Sequence, residues 1–263
     1  MGDTDPLMGS TDPFAALGDA YEASFRLPLR RHLEVPGVLG AVGDPAGLSV
    51  LDLGCGTGAY ARLFRRLGAA RVVGLDASDA MMTAAREIER AERSGIEYIT
   101  GDLTSAGRLG TFDLVTAVHV LSYADSGDRL DAMWRAMHAA VAPGGRCVCL
   151  VLNPDFSTDP EHYTPYGLSL RCGPRPAEGS PVELRVHGMG APFSVTVYYR
   201  GRAAWRRALL GAGFTAPAWH SPTPTDAGIR EHGEKFWHRY VTRPHALLLT
   251  CRRGPGPTEG PPG

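Results

Sequence analysis

Three acidic residues and one histidine stand at or near the ends of predicted strands, where their side chains would meet at one edge of a sheet. They are Asp52, Asp76, Asp102 and His119. Ligands of open parallel sheets bind outside the carboxyl ends of the strands. Carboxylates there accept hydrogen bonds from hydroxyl or amino groups, and a neutral imidazole accepts a proton near pH 7. The pattern predicts a site for a polar small molecule beside a candidate general base.

A glycine-rich turn, Gly54-Cys55-Gly56-Thr57-Gly58, follows the first acid. An apolar strand leads into it, and apolar residues at helical spacing follow it up to Gly68, where a helix C-cap is expected. Glycines let the backbone turn sharply and lie close to a ligand. The dinucleotide-binding spacing is met by Gly54, Gly56 and Ala59. The additional Gly58 and the preceding Asp52 favour a different ligand.

Alternating strand and helix patterns continue along the chain and predict an α/β fold. Ser78 and Asp79 begin a helix after the second strand, so Asp76 is either a ribose ligand or an acid at a helix N-terminus. The segment Ala142–Gly145 predicts a tight turn before the fifth strand. The predicted sheet strands are Val50–Leu53, Arg71–Asp76, Ile96–Thr100, Phe112–His119, Arg146–Leu152 and Ala246–Cys251.

The remaining segments predict additions to this core. Residues 1–47 form a helical extension, in which Tyr21 belongs to an aromatic helical stripe that either packs on the domain or covers the site as a lid. A second helical stretch, Leu29–Leu39, is interrupted near Pro36-Gly37. Residues 48–253 form the main domain, with an antiparallel β cap inserted at about 153–193, and the Gly/Pro-rich residues 254–263 form a disordered tail.

In sequence order, these motifs resemble those of class I S-adenosylmethionine-dependent methyltransferases, and in particular the bacterial small-molecule subgroup of secondary metabolism. The motifs are the Asp52–Gly58 loop, Asp76, Asp102, the His119 segment and Pro143-Gly144-Gly145. The resemblance implies a Rossmann-like sheet, mostly parallel with its last strand antiparallel. It also implies transfer of a methyl group from S-adenosylmethionine to an O, N or C atom of a natural-product intermediate, with S-adenosylhomocysteine as product.

The resemblance also implies site residues. His119 faces the reacting methyl group, either as a base or as cofactor packing, and Asp102 bonds the adenine amino group. Four aromatic residues either line a substrate pocket or form the core of the cap: Tyr163, Tyr166, Tyr198 and Trp237. The expected cofactor ligands are Tyr21, Asp52, Gly54, Cys55, Gly56, Gly58, Asp76, Ala77, Met81, Asp102, Leu103 and His119. Histidine spacing indicates no metal.

Composition and charge limit the classes of function that the chain can have. The 263-residue chain has a net charge of -1, which does not favour nucleic acid as a partner. It has no apolar run of membrane-spanning length and no secretory signal, so we expect a cytoplasmic protein without membrane contact, in which a homo-oligomer remains open. The five cysteines form no C-x-x-C pair and are expected to be reduced. Two alternatives stay open: an NAD-dependent oxidoreductase and a non-catalytic cofactor-binding relative.

Overall fold

A twisted seven-stranded sheet with helices on both faces forms the body of the protein. The computed structural model describes residues 18–187 and 192–255, so the predicted start of the first helix and most of the predicted tail lie outside the described residues. The strands are β1 Ser49–Leu53, β2 Arg71–Asp76, β3 Glu97–Thr100, β4 Phe112–Val118, β5 Val141–Leu152, β6 Leu168–Arg171, β7 Pro181–Val186, β8 Phe193–Tyr198, β9 Phe214–His220 and β10 Ala246–Arg253.

The strand order of the main sheet is β3-β2-β1-β4-β5-β10-β9. The first five strands of this sheet run parallel, and β10 runs antiparallel to both of its neighbours. This confirms the predicted sheet, which is mostly parallel with its last strand antiparallel. Because β1 and β4 are central, the loops that follow them open onto one crevice at the carboxyl edge.

Helices cover both faces of the sheet. The α-helices are α1 Gly18–Ser24, α2 Val35–Val42, α3 Ala59–Arg66, α4 Asp79–Glu92, α5 Gly127–Ala140, α6 Arg202–Gly211, α7 Asp226–His232 and α8 Glu234–Thr242. On one face, Trp134 of α5 and Trp205 of α6 pack on apolar strand residues. On the other, Val38, Phe64 and Met82 from α2, α3 and α4 do the same. The buried apolar strands are therefore covered on both sides, as parallel sheets require.

The predicted interruption near Pro36-Gly37 is wrong, because the chain is helical from residue 28 to residue 42. A π-helical turn, Arg30–Glu34, leads directly into α2, which places Pro36 in the first turn of that helix. Proline has no N–H to donate to the carbonyl of His32, four residues earlier. The backbone N–H of Thr225 donates to that carbonyl instead, at 2.9 Å. A tertiary contact therefore satisfies the group that the proline leaves open.

The predicted turn at Ala142–Gly145 is also wrong as a separate element, since these residues lie within β5. Phe112 pairs with Val141 but Leu114 pairs with Arg146, so the extra residues form a bulge. Gly144 has a φ of 79°, which accommodates the irregular backbone.

The cap is a separate antiparallel sheet in the order β6-β7-β8. Its third strand extends to Tyr198, beyond the predicted end at about residue 193. Strands β9 and β10 pair antiparallel, although the helices α7 and α8 lie between them in the chain. Among the residues that the structure describes, no helix has the length and apolar character needed to cross a membrane.

Candidate active site

The glycine turn after β1 forms a cradle that only glycine can build. Gly54 and Gly56 have φ values of 63° and 54°. A Cβ on Gly54 would lie 2.5 Å from Cβ of Val120, so even alanine would collide there. The turn is fixed from β2: the N–H of Gly56 donates to Oδ2 of Asp76 at 2.8 Å, and the N–H of Gly54 donates to the Leu75 carbonyl at 2.7 Å.

The N-terminal segment lies over this cradle. A Cβ on Gly56 would be 3.1 Å from the Tyr21 ring, and the Arg30 guanidinium lies 4.9 Å from the centre of the same ring. Glu22 anchors the segment, because Nη2 of Arg62 donates to its carboxylate at 2.8 Å and the Thr57 hydroxyl donates to the same oxygen. These contacts hold Tyr21 beside Gly56 of the cradle, and its role as a lid stays a prediction.

The two predicted acids after β2 and β3 line the same cavity. Asp76 also accepts the N–H of Ser78 at 2.9 Å, and a carboxylate has further lone pairs for a ligand. Asp102 accepts the N–H of Thr104 at 2.8 Å and pairs with Arg129. Although partial burial alone would raise it, these contacts lower the pKa of Asp102, so the group is charged at neutral pH.

Asp52 occupies a different environment, buried within β1. The Thr116 hydroxyl donates to Oδ1 at 2.7 Å, while Oδ2 is buried and has no hydrogen-bond partner in the described part of the chain. Burial, reinforced by the nearby charge of Asp76, raises the pKa of Asp52 to about 7. A buried carboxylate without a full set of partners favours a cationic ligand nearby.

A buried acid–histidine cluster borders the other side of the cavity. Oε2 of Glu34 lies 3.3 Å from Nε2 of His119, and Oε1 of Glu34 lies 3.3 Å from Nε2 of His245. The Tyr240 hydroxyl lies 2.8 Å from Nδ1 of His245. His119 follows β4 with a φ of 65°, a left-handed conformation that is uncommon outside glycine. Strain of this kind occurs at functional sites.

The charges of this cluster are coupled. Burial alone would raise the pKa of Glu34, but the imidazoles of His119 and His245 and the guanidinium of Arg30 together lower it to about 2. Burial lowers the pKa of His245 to about 4. Glu34 is therefore ionised and His245 neutral at physiological pH.

One cavity of about 450 Å³ joins these groups. The cap contributes the apolar part of its wall, because alternate residues of each cap strand share one face of the sheet. The cap residues at the cavity are Leu168, Leu184, Val186, Phe193, Val195 and Val197. The cavity therefore has a polar end at the cradle and histidine cluster and an apolar end under the cap.

Most predicted site residues meet at this cavity. Those that line it are Tyr21, Gly54, Gly56, Asp76, Ala77, Met81, Asp102, Leu103 and His119. Asp52, Cys55 and Gly58 lie outside the lining and belong to the strand and turn that support it. A Cβ on Gly58 would lie 2.1 Å from the Tyr98 hydroxyl, which explains the third glycine without a ligand.

The four aromatic residues predicted for a substrate pocket are not at the cavity. Tyr163, Tyr166 and Trp237 are buried together in the apolar cluster between the cap and α8, the second of the two predicted roles. Tyr198 is half-buried on the opposite face of β8 from Val195 and Val197. The sequence missed Arg30, Glu34 and His245 at the cavity. Its one available signal was Glu34 itself, the one acidic residue between Glu22 and Asp44.

Two clusters in the described part of the chain bring metal-ligand atoms together, although none was predicted. They are Glu34, His119 and His245, and His32, Glu231 and His232. A cationic guanidinium already lies beside each acid: Arg30 is 3.7 Å from Glu34, and Arg31 is 3.6 Å from Glu231. Positive charge there opposes a metal cation, so we interpret both clusters as ion-paired and hydrogen-bonded.

Comparison with known proteins agrees with this geometry. Residues 50–145 match a family model described as a methyltransferase domain. The chain therefore contains a methyltransferase domain. A crystal structure of an S-adenosylmethionine-dependent methyltransferase from Mesorhizobium loti matches the chain's fold with a TM-score of 0.60 and 22% identity, covering 88% of this chain and 100% of that one. The match of the methyltransferase domain thus includes the cradle, Asp76, Asp102 and His119.

Curated relatives named as methyltransferases also match part of the chain. A ribosomal protein L11 methyltransferase from Janthinobacterium sp. (strain Marseille) is 30% identical over 169 residues, covering 62% of this chain and 49% of the relative. A ubiquinone biosynthesis O-methyltransferase from Ruegeria pomeroyi is 38% identical over 113 residues, covering 41% and 42% respectively. The chain thus spans about half the length of the curated relatives it matches.

The residues of the methyltransferase domain fit S-adenosylmethionine as cofactor. Gly54 and Gly56 line the cavity with their backbone, and Asp76, which also lines it, offers acceptors to ribose hydroxyls. A ligand that carries a sulfonium and an ammonium group would favour the ionised form of Asp52, whose buried Oδ2 has no hydrogen-bond partner in the described residues.

Proposed function

We propose that this protein transfers a methyl group from S-adenosylmethionine to an oxygen, nitrogen or carbon atom of a small molecule, a natural-product intermediate, and releases S-adenosylhomocysteine. One observation carries the proposal: a single cavity joins the glycine cradle and Asp76 to His119 and to the apolar face of the cap. Donor and acceptor sites are thereby continuous, as direct transfer between two bound molecules needs.

The chain's own residues have distinct tasks in this proposal. S-adenosylmethionine, when bound, supplies a methyl group that is already electrophilic. Asp76 holds the ribose and Asp102 the adenine end, while Tyr21 and the N-terminal segment cover the cradle and exclude water. His119 accepts the proton that a protic acceptor loses. The apolar cap face binds the body of the acceptor molecule.

Enclosure supports a small-molecule acceptor. The cavity has walls from the N-terminal segment, the sheet and the cap, and a net charge of -1 does not favour nucleic acid. One relative's name places it in ubiquinone biosynthesis and another's names a ribosomal protein. The apolar cap face favours a small-molecule acceptor over a protein acceptor. We propose that the reaction takes place in the cytoplasm.

Cofactor binding is the first test. Isothermal titration calorimetry should give a micromolar dissociation constant for S-adenosylhomocysteine and no heat with NADH. The reverse result would mark an NAD-dependent oxidoreductase and overturn the proposal.

Methyl transfer is the second test. The protein should move label from methyl-labelled S-adenosylmethionine into a compound of a metabolite extract from its producer. Binding of cofactor without any labelled product would identify a non-catalytic relative.

A further inference from the structure

We propose that Glu34 is the positioning residue of the methyl-transfer site: its carboxylate fixes His119 as the tautomer that can take a proton from a hydroxyl acceptor. The inference rests on the proposed function. It adds a residue from outside the matched domain, because Glu34 lies in the N-terminal segment and the family match begins at residue 50.

Geometry assigns the proton on His119. Glu34 is ionised, and a carboxylate only accepts hydrogen bonds. At 3.3 Å from Oε2 of Glu34, Nε2 of His119 must therefore carry a hydrogen. In the neutral ring the other nitrogen, Nδ1, is then an acceptor. Nδ1 has no hydrogen-bond partner in the described ranges, and His119 lines the cavity.

The second histidine completes the arrangement. His245 is 2% exposed, and both of its nitrogens are engaged, with Oε1 of Glu34 and with the Tyr240 hydroxyl. The second oxygen of Glu34 is thus occupied, so the carboxylate cannot rotate freely. Arg30, 3.7 Å from Oε2, fixes it from the other side. Of the two imidazoles on Glu34, only His119 keeps a nitrogen for a ligand.

The proton balance indicates the acceptor class. When an acceptor oxygen forms its bond to the methyl carbon, the carbon–sulfur bond breaks and the sulfonium becomes a neutral thioether. The hydroxyl proton moves to Nδ1 of His119, and the imidazolium is stabilised by Glu34 until the proton passes to solvent. Together with the apolar cap, this describes a mainly apolar molecule with one hydroxyl group.

Tautomers can be measured without knowing the acceptor. The protein is labelled with ¹⁵N-histidine, saturated with S-adenosylhomocysteine at neutral pH, and studied by two-bond ¹H–¹⁵N correlation spectroscopy. A His119→Asn variant assigns the signal by its loss. His119 should show a protonated Nε2 and an unprotonated Nδ1. The opposite tautomer, or a ring protonated on both nitrogens, would overturn the inference.

Two glutamate-to-glutamine variants distinguish a positioning role of Glu34 from a purely structural one. Glu34→Gln keeps the shape but offers one acceptor oxygen to two imidazoles, so His119 should become a mixture of tautomers. Glu231→Gln is the matched control, because Glu231 lies 3.1 Å from Nε2 of His32 in the second acid–histidine cluster. It should change the His32 signal and leave His119 unchanged. An unchanged His119 signal in Glu34→Gln would contradict the inference.

Turnover gives an independent readout once labelling has identified the acceptor. Glu34→Gln should lower kcat about 100-fold, the usual contribution of a positioned base, with the KM for S-adenosylmethionine unchanged. A rise in the KM for S-adenosylmethionine as large as the fall in kcat would assign Glu34 to cofactor binding instead. Failure of the wild-type protein to bind S-adenosylhomocysteine would refute the proposed function, whereas binding with the wrong His119 tautomer would refute only the role of Glu34. Signals broadened by added Zn²⁺ and restored by EDTA would mark a metal site and also overturn it.

Discussion

Asp76 holds the cradle and faces the cavity at once, so its side chain has the clearest expected effect on cofactor binding. Asp76→Ala should raise the dissociation constant of S-adenosylhomocysteine about 10- to 100-fold, because a charge-assisted acceptor worth ~1.5–3 kcal/mol is lost. Calorimetry measures this directly. Asp79→Ala is the control, because Asp79 is exposed in the first turn of α4. Equal constants for Asp76→Ala and wild type would refute the assignment.

Asp52 should make stability depend on pH. Its folded pKa of about 7 lies above the ordinary value of 3.8, so the folded state binds more protons between these pH values. Stability therefore falls as pH rises through this window, by ~1.4 kcal/mol per unit of pKa difference. Asp52→Asn removes the effect. In urea denaturation, the free energy of unfolding of the variant relative to wild type should rise by ~3 kcal/mol between pH 4 and pH 8.

Asp113, whose pKa is shifted in the opposite direction, provides the control for this experiment. Hydrogen bonds from Ser49 lower the pKa of Asp113, so its charge stabilises the fold once the pH exceeds the unfolded value. Asp113→Asn should therefore lose stability relative to wild type at high pH rather than gain it. The same pH trend in both variants would show that the burial of Asp52 is not the cause.

Single residues also show what the sequence could predict. Asp76, Asp102 and His119 follow strands in a fixed order, and strand order brings them together at the cavity. Glu34 and His245 come from a π-helical turn and from the residue before β10, and their contact depends on tertiary packing. No spacing rule links residues 34, 119 and 245, so sequence reasoning could not find the cluster.

The first helix is expected to act as a cover, and Glu22 is the residue that attaches it to the cradle. Glu22→Gln weakens the contacts with Arg62 and Thr57. The dissociation constant of S-adenosylhomocysteine should rise about threefold to tenfold, the effect of ~1 kcal/mol. Glu87→Gln, at an exposed position of α4, is the control. If both variants bind equally well, α1 packs on the domain without serving the site.

The aromatic cluster between the cap and α8 is expected to serve stability only. Trp237 is 1% exposed, and its Nε1–H donates to the Gly228 carbonyl at 2.9 Å. Trp237→Phe removes this bond and part of the ring, so the melting temperature should fall by roughly 3–8 °C. The affinity for S-adenosylhomocysteine should stay that of wild type. A stable variant with weakened cofactor binding would return Trp237 to the site.

Strong apolar periodicity predicted individual helices and strands well, but it predicted the segments that connect them poorly. β2 has the predicted bounds, Arg71–Asp76, and Ser78 caps α4 as expected. The helices α7 and α8 were missed because they are short and their apolar residues face the cap cluster rather than the main sheet. The continuity through Pro36 depends on the backbone N–H of Thr225, which donates to the His32 carbonyl from a distant part of the sequence.

The whole molecule assembles its cavity from three parts that are distant in sequence: the N-terminal segment, the carboxyl edge of the sheet and the cap. A ligand that contacts the first two parts binds the closed arrangement better than one in which the N-terminal segment has separated. By mass action, that preference shifts the population towards the closed state. Local opening of the N-terminal segment should then become rarer as the cofactor concentration rises.

Limited proteolysis tests this coupling. Arg26 is exposed in the turn between α1 and the helix that begins at residue 28, and trypsin needs local unfolding to cut there. S-adenosylhomocysteine at about 100 times its dissociation constant adds ~2.7 kcal/mol to the stability of the binding-competent state. Cleavage after Arg26 should slow by up to about 100-fold if opening of the segment abolishes binding. NADH at the same concentration is the control and should not slow it. Protection of every other tryptic site but not of Arg26 would mean that the segment opens independently of the bound cofactor, and Tyr21 would then not be part of a lid.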